Sequence, residues 1–173
     1  CSSDLFFLHQ GGLLAQGNPA VDGRAISFDY DPSNPVPTMG GPLTSGQPVF
    51  EGGGFDQREH ERFFGCKNPG MPLSARPDVL VFETPPLRED VAIAGPVTVK
   101  LYISSNCIDT DFTAKLIDVY PPNEDYPRGY ALNLCDGILR CRYRNSWGQA
   151  RLMTPGTVYE ITIVPFATCN LFK

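Results

Sequence analysis

The sequence predicts an all-β chain, and three observations predict it. Short runs of β-branched and aromatic residues, bounded by Gly, Pro, Asn and Asp, recur along its 173 residues. Helical periodicity is almost absent. Gly and Pro contribute 17 residues each; that is about a fifth of the chain against roughly 12% for an ordinary protein, and both disfavour helix interiors. From Pro77 onward the strand-like runs come every ~8–15 residues with turn signals between them, as in a sandwich or jelly roll.

The elements follow in order. Leu5–Leu8 and Ala25–Tyr30 are candidate strands. Between Asp31 and Gly54 the chain reads as loop, with Pro32, Pro35, Pro37, Pro42 and Pro48 and the run Gly52-Gly53-Gly54. Strands are then expected at Val79–Glu83, Val91–Ala94, Val97–Ser104, Phe112–Tyr120, Tyr130–Leu134, Ile138–Tyr143 and Thr157–Val164. Val97–Ile103 alternates, with Thr98, Lys100 and Tyr102 on one face. Asp78–Phe82 is more uniformly apolar and suits a strand covered on both sides. Asp136-Gly137 reads as a turn between two strands. No internal repeat or domain boundary shows, so residues 1–173 are expected to form one domain.

Composition narrows the function classes. A hydrophobic share of 42% with 19% charged residues is that of a globular chain. A net charge of −5 gives no electrostatic footprint for nucleic acid or an anionic membrane. No apolar run approaches the ~20 residues of a membrane helix. The chain opens on Cys1 rather than Met and stops at Lys173 just after an extended apolar run, so it reads as a piece of something longer. Its 6 cysteines include no C-x-x-C pair and no zinc-like spacing with the 2 histidines. Free thiols in a reducing compartment are expected, with a lean to the cytoplasm. A Cys135–Cys141 bridge is not expected.

Few residues suggest chemistry of their own. A serine hydrolase needs a nucleophile elbow and a His base. Ser45 lies in a Pro/Gly loop with neither, and His9 and His60 read as edge or surface imidazoles. No catalytic residue and no cofactor is assigned. Asp109-Thr110-Asp111, with Asp118 and Asp136, is the best candidate for an oxygen-rich calcium site, weighed against aspartates that cap turns. Arg140, Arg142 and Arg144 would share one strand face, where salt bridges to Asp and Glu are the expected use. Trp147, the lone Trp, is a minor hint of a sugar-stacking platform.

Several segments together resemble one family. Asp29-Tyr30-Asp31-Pro32-Ser33-Asn34-Pro35-Val36-Pro37-Thr38-Met39-Gly40-Gly41 resembles the YDPxxPVPxxGG start of the C-terminal domain in the X-Pro dipeptidyl-peptidase and cocaine esterase family of serine hydrolases. Asp56-Gln57-Arg58 resembles its DQR element, and Asp78–Leu87 its DVLVFxTxPL strand. Asp109–Pro121, Asp136–Arg140 and Pro155–Phe172 continue the likeness in order. Phe63–Ala75, carrying Cys66, looks like an insertion.

The resemblance implies a jelly-roll β-sandwich, galactose-binding-like, lacking its last strands: a GHRIRL-like strand and an SSSNFPR-like one would follow Lys173. It implies a non-catalytic C-terminal domain whose partner is the α/β-hydrolase domain of the same parent chain, which carries the Ser-Asp-His triad. No triad residue carries over to this chain. The loop after the paired glycines is expected to place Leu43, Val49 and Phe50 near the acyl pocket, against the plainer reading that it only packs on the catalytic domain. A stand-alone carbohydrate- or calcium-binding jelly roll is the alternative function. Sheet edges that pair between protomers would also make a homo-oligomer.

Overall fold

The computed structural model describes residues 4–19, 23–45 and 51–173. Near the start, β1 (Phe7–Leu8) and β2 (Leu14–Ala15) form a short antiparallel pair. The rest of the sheet structure is a ribbon folded back on itself. Its strands are β3 (Val91–Gly95), β4 (Val99–Ile103), β5 (Asp111–Tyr120), β6 (Tyr130–Arg140), β7 (Tyr159–Ile163) and β8 (Thr168–Phe172). They pair antiparallel from the outside in: β3 with β8, β4 with β7, β5 with β6. A long two-stranded ribbon coiled in this nested way is a jelly roll, left open here with no closed barrel.

Alternation decides which side of the ribbon faces inward. Val99, Leu101 and Ile103 of β4 turn to a core of Leu139, Cys141, Met153, Ile161 and Ile163. Between them, Lys100 and Tyr102 point outward and meet Glu160 of β7 at 3.1 and 2.8 Å. This is the face expected from the sequence. A second core lies among the loops, where Met39, Phe63 and Leu73 pack with Val36 and Phe55.

That second core is held by buried charge. Glu59, 1% exposed, accepts the Lys67 and Asn68 backbone N–H groups at 2.7 and 2.9 Å. Arg76 grips Asp78 with two hydrogen bonds of 2.8 and 2.7 Å, donates to Asn34 O, and stands 3.9 Å from the Glu59 carboxylate. Burial pushes the Glu59 pKa up, but the two N–H groups and Arg76 outweigh it and hold the carboxyl below its usual range. The stretch 63–75 that looks like an insertion is therefore an integral part of the fold.

Several strand expectations are corrected. Ala25–Tyr30 is exposed and forms no ladder. Of Val79–Glu83 only Glu83 is bridged, to the Gly12–Leu14 backbone; Leu80 and Val81 are 43% and 37% exposed, so this segment is not covered on both faces. The two strands expected around Asp136-Gly137 are one strand, β6, with a bulge at Leu134 where Leu116 faces Cys135 and Ile117 faces Asn133. Gly137 marks a crossing rather than a turn: a Cβ there would lie 2.9 Å from Pro165 Cα. Cys66, Cys107, Cys135, Cys141 and Cys169 are free thiols.

Candidate functional site

The loop singled out by sequence leaves and re-enters the fold through a glycine clasp. Gly41 and Gly53 exchange both backbone hydrogen bonds, at 2.8 and 2.9 Å. Gly40 has φ +70° and approaches so closely that a Cβ would lie 2.2 Å from Gly53 O and 2.6 Å from the Phe55 ring. No L side chain fits that combination of left-handed backbone and contact. Leu43 lies just beyond the clasp and is 57% exposed. Val49 and Phe50 lie outside the described residues.

Beneath the clasp a polar strut ties it to the β5–β6 sheet. Gln57, 7% exposed, donates from Nε2 to Met39 O and Phe55 O, both at 2.9 Å, and accepts the Lys115 amine at 2.8 Å. Burial pulls the Lys115 pKa down, while the nearby Asp136 charge pulls it partly back. Asp136 accepts from Asn133 Nδ2 at 3.1 Å; its Oδ2 lies where a Cβ on Gly41 would come within 2.7 Å. Asp56 fixes the same segment sideways by accepting the Ala131 N–H at 2.9 Å. The Asp56-Gln57-Arg58 motif is thus an anchor, one residue to each neighbour. Arg58 completes it by donating to Arg128 O.

Other candidates fall elsewhere. Asp109 and Asp111 are engaged by guanidinium groups: Arg140 grips Asp111 with two bonds of 2.8 Å, and Arg142 reaches Asp109 through its side chain and its backbone N–H. Asp118 accepts from Asn170 and Asp136 belongs to the strut, so these four carboxylates are not brought to one point. Among the described residues no three His, Cys, Asp or Glu side chains converge for a metal. Arg140 and Arg142 pair with acids as expected, but Arg144 does not, and the three do not share one strand face. The chain turns at Cys141–Tyr143, so Arg144 swings onto the Tyr159 ring at 4.3 Å and the Cys141 and Arg151 carbonyls.

His9 binds Gly17 O at 2.9 Å and His60 accepts the Arg62 N–H at 3.2 Å. Each imidazole thereby spends one ring nitrogen on local backbone. Trp147 is 74% exposed and stacks on Tyr143 at 6.2 Å. The arrangement offers Leu43 just beyond a glycine clasp on a hydrogen-bonded base, and among the described residues no nucleophile and base are assembled.

Sequence reasoning found the paired glycines and the DQR motif but not Lys115 or Glu59. A lysine in the middle of an apolar strand, Phe112–Val119, was the available signal for the first. Nothing local marks the second.

Comparison with known proteins identifies the family and the fold. Residues 6–173 match the family described as the X-Pro dipeptidyl-peptidase C-terminal non-catalytic domain. The chain is 38% identical to the cocaine esterase of Rhodococcus sp. (strain MB1 Bresler) over 165 residues, covering 94% of this chain and 24% of that protein. Among solved structures it resembles an α-amino acid ester hydrolase, with a TM-score of 0.74 and 28% identity over 99% of this chain and 27% of that one. It also resembles an aminopeptidase from the marine sediment archaeon Thaumarchaeota archaeon, with a TM-score of 0.75 and 29% identity over 96% and 26%. The chain thus spans about a quarter of the length of each of these proteins. It belongs to the family of X-Pro dipeptidyl-peptidase C-terminal non-catalytic domains.

Proposed function

We propose that residues 1–173 are the accessory β-sandwich of a serine hydrolase that cleaves X-Pro peptides or small esters and amides. Its partner is the α/β-hydrolase domain of the same parent chain, where a nucleophilic Ser, a His base and an oxyanion hole carry out acyl transfer. The sandwich buttresses that domain, and the clasped loop, through Leu43 with Val49 and Phe50, walls the acyl pocket. The names of the similar proteins support the reaction class: an esterase, an ester hydrolase and an aminopeptidase all attack a carbonyl.

The observation that carries the accessory role is surface area. The domain exposes 11,999 Å², where a compact monomer of its mass exposes about 8,400 Å². The surplus, roughly 3,600 Å², more than covers one partner's share of an obligate interface, about 1,000–2,500 Å². Large apolar side chains are exposed, and Ile138 (60%), Trp147 (74%) and Val164 (64%) line one shared groove. Exposed apolar surface of this kind supports the reading of a contact face.

The test is kinetic, in the full-length protein. Leu43→Ala should change the kcat/KM ratio between a bulky and a small acyl substrate by about 10-fold or more, the scale of one lost apolar pocket contact. Leu8→Ala, remote from the clasp in sequence, should leave the ratio alone. An unchanged ratio for Leu43→Ala would mean that the loop only packs.

A further inference from the structure

We infer that the groove between the DQR segment and the β5–β6 connection binds a small organic carboxylate with an apolar body, its charge held by Arg128 and His60 and its body laid on the Phe55–Phe63 floor. The groove has a volume of about 410 Å³, within the range of small-ligand sites. Its floor is aromatic: Phe55 and Phe63 meet edge to face at 5.0 Å, with the Arg62 guanidinium over their rings at 4.9 and 5.5 Å. Tyr130, backed by Tyr126 at 4.8 Å, makes one flank.

The hydrogen-bond inventory selects the ligand's polar end. Two of the groove's three carboxylates are spent inward. Asp56 serves the Ala131 N–H and Arg58, and Glu59 serves the Lys67 and Asn68 N–H groups. Arg58 and Arg62 are engaged by Asp56, Arg128 O and Glu51, but two other donors of the lining are not spent. The Arg128 guanidinium has no hydrogen bond or ion pair among the described residues. His60 accepts the Arg62 N–H at Nδ1, which leaves its ring proton on Nε2. A site whose unspent groups are a guanidinium and a ring N–H matches a group that only accepts, and a guanidinium fork fits a carboxylate. Glu61, the remaining carboxylate of the lining, is the one group that opposes such a ligand. These residues belong to the chain itself, so the inference does not rest on the accessory role.

The test is equilibrium binding to the full-length protein, with phenylacetate as probe and phenylacetamide and acetate as its neutral and bodiless counterparts. Phenylacetate should bind saturably, and each counterpart at least 10-fold more weakly. Arg128→Ala should weaken phenylacetate at least 10-fold, and Arg128→Lys should restore part of the loss. Glu61→Gln should tighten binding severalfold, a gain that misfolding cannot produce. No saturable binding, equal binding of phenylacetamide, or binding unchanged by both Arg128→Ala and Glu61→Gln would overturn the assignment.

Discussion

Replacing Gly40 by Ala perturbs the clasp at its tightest point, and the structure supplies its own control. Gly40 and Gly156 have nearly the same backbone, φ +70° and +77°, but a Cβ on Gly156 would meet nothing within 4 Å. Both substitutions incur the left-handed backbone cost of roughly 1–2 kcal/mol. Only Gly40→Ala also drives a methyl group to 2.2 Å from a backbone oxygen and 2.6 Å from an aromatic ring. Backbone cannot swing aside as a side chain can, so an overpacking cost of about 1–3 kcal/mol is added. The totals are about 2–5 kcal/mol for Gly40→Ala and about 1–2 for Gly156→Ala. With a urea m-value near 2 kcal/mol/M, the midpoints should differ by about 0.5–1.5 M. Urea unfolding of the two variants, followed by far-UV circular dichroism at constant m, reads this directly. Equal midpoints would refute the close approach, and with it the clasp that leads to Leu43.

Other outcomes follow from the buried charges and the thiols. Arg76→Met strips the counter-charge from Asp78 and Glu59 and should cost about 3–5 kcal/mol, measured as a fall in urea midpoint. The Asp78 and Glu59 carboxyls are held below their ordinary values of 3.8 and 4.5. Their contribution is therefore complete above those values and lost as pH falls below them, and acid titration of stability should show the loss there, shrunken in Arg76→Met. Lys115 is the opposite case for charge. Its folded pKa lies below the ordinary 10.5, so the penalty for burying its charge is present at neutral pH and lifts as pH rises towards that value. Stability curves should show this rise in the native chain and lack it in Lys115→Met. Alkylation followed by mass spectrometry should label Cys107 and Cys169 first and Cys135 and Cys141 only on unfolding, since the first two are exposed and the others buried. Burial also pushes the Cys141 thiol up to about 11, which leaves it little thiolate at neutral pH.

What was legible in the sequence was what repeats at period two. The β4 pattern Val99, Leu101, Ile103 against Lys100, Tyr102 needs only one core side, and the structure has it. Strand-like runs without a ladder misled, because Ala25–Tyr30 and Leu80–Phe82 carry strand-like residues but pair with no strand. Asp136-Gly137 misled for a different reason. Gly serves a tight turn or a tight crossing equally well, and only the distant Pro165 distinguishes them. The row Arg140, Arg142, Arg144 was broken by a 3₁₀ turn that its local sequence does not announce. At the site, the paired glycines were visible but their support was not. Gln57, Lys115 and Asp136 come together across as many as 79 positions of sequence, a juxtaposition created by the fold.

The central claim is that this domain shapes a hydrolase site without supplying its chemistry. A fluorophosphonate probe forms a covalent adduct with an activated serine, and peptide mapping of the labelled full-length protein locates that serine. The account predicts a single stoichiometric adduct on a serine outside residues 1–173, unaffected in position by Leu43→Ala. An adduct on Ser45, or on any other serine within these residues, would contradict it.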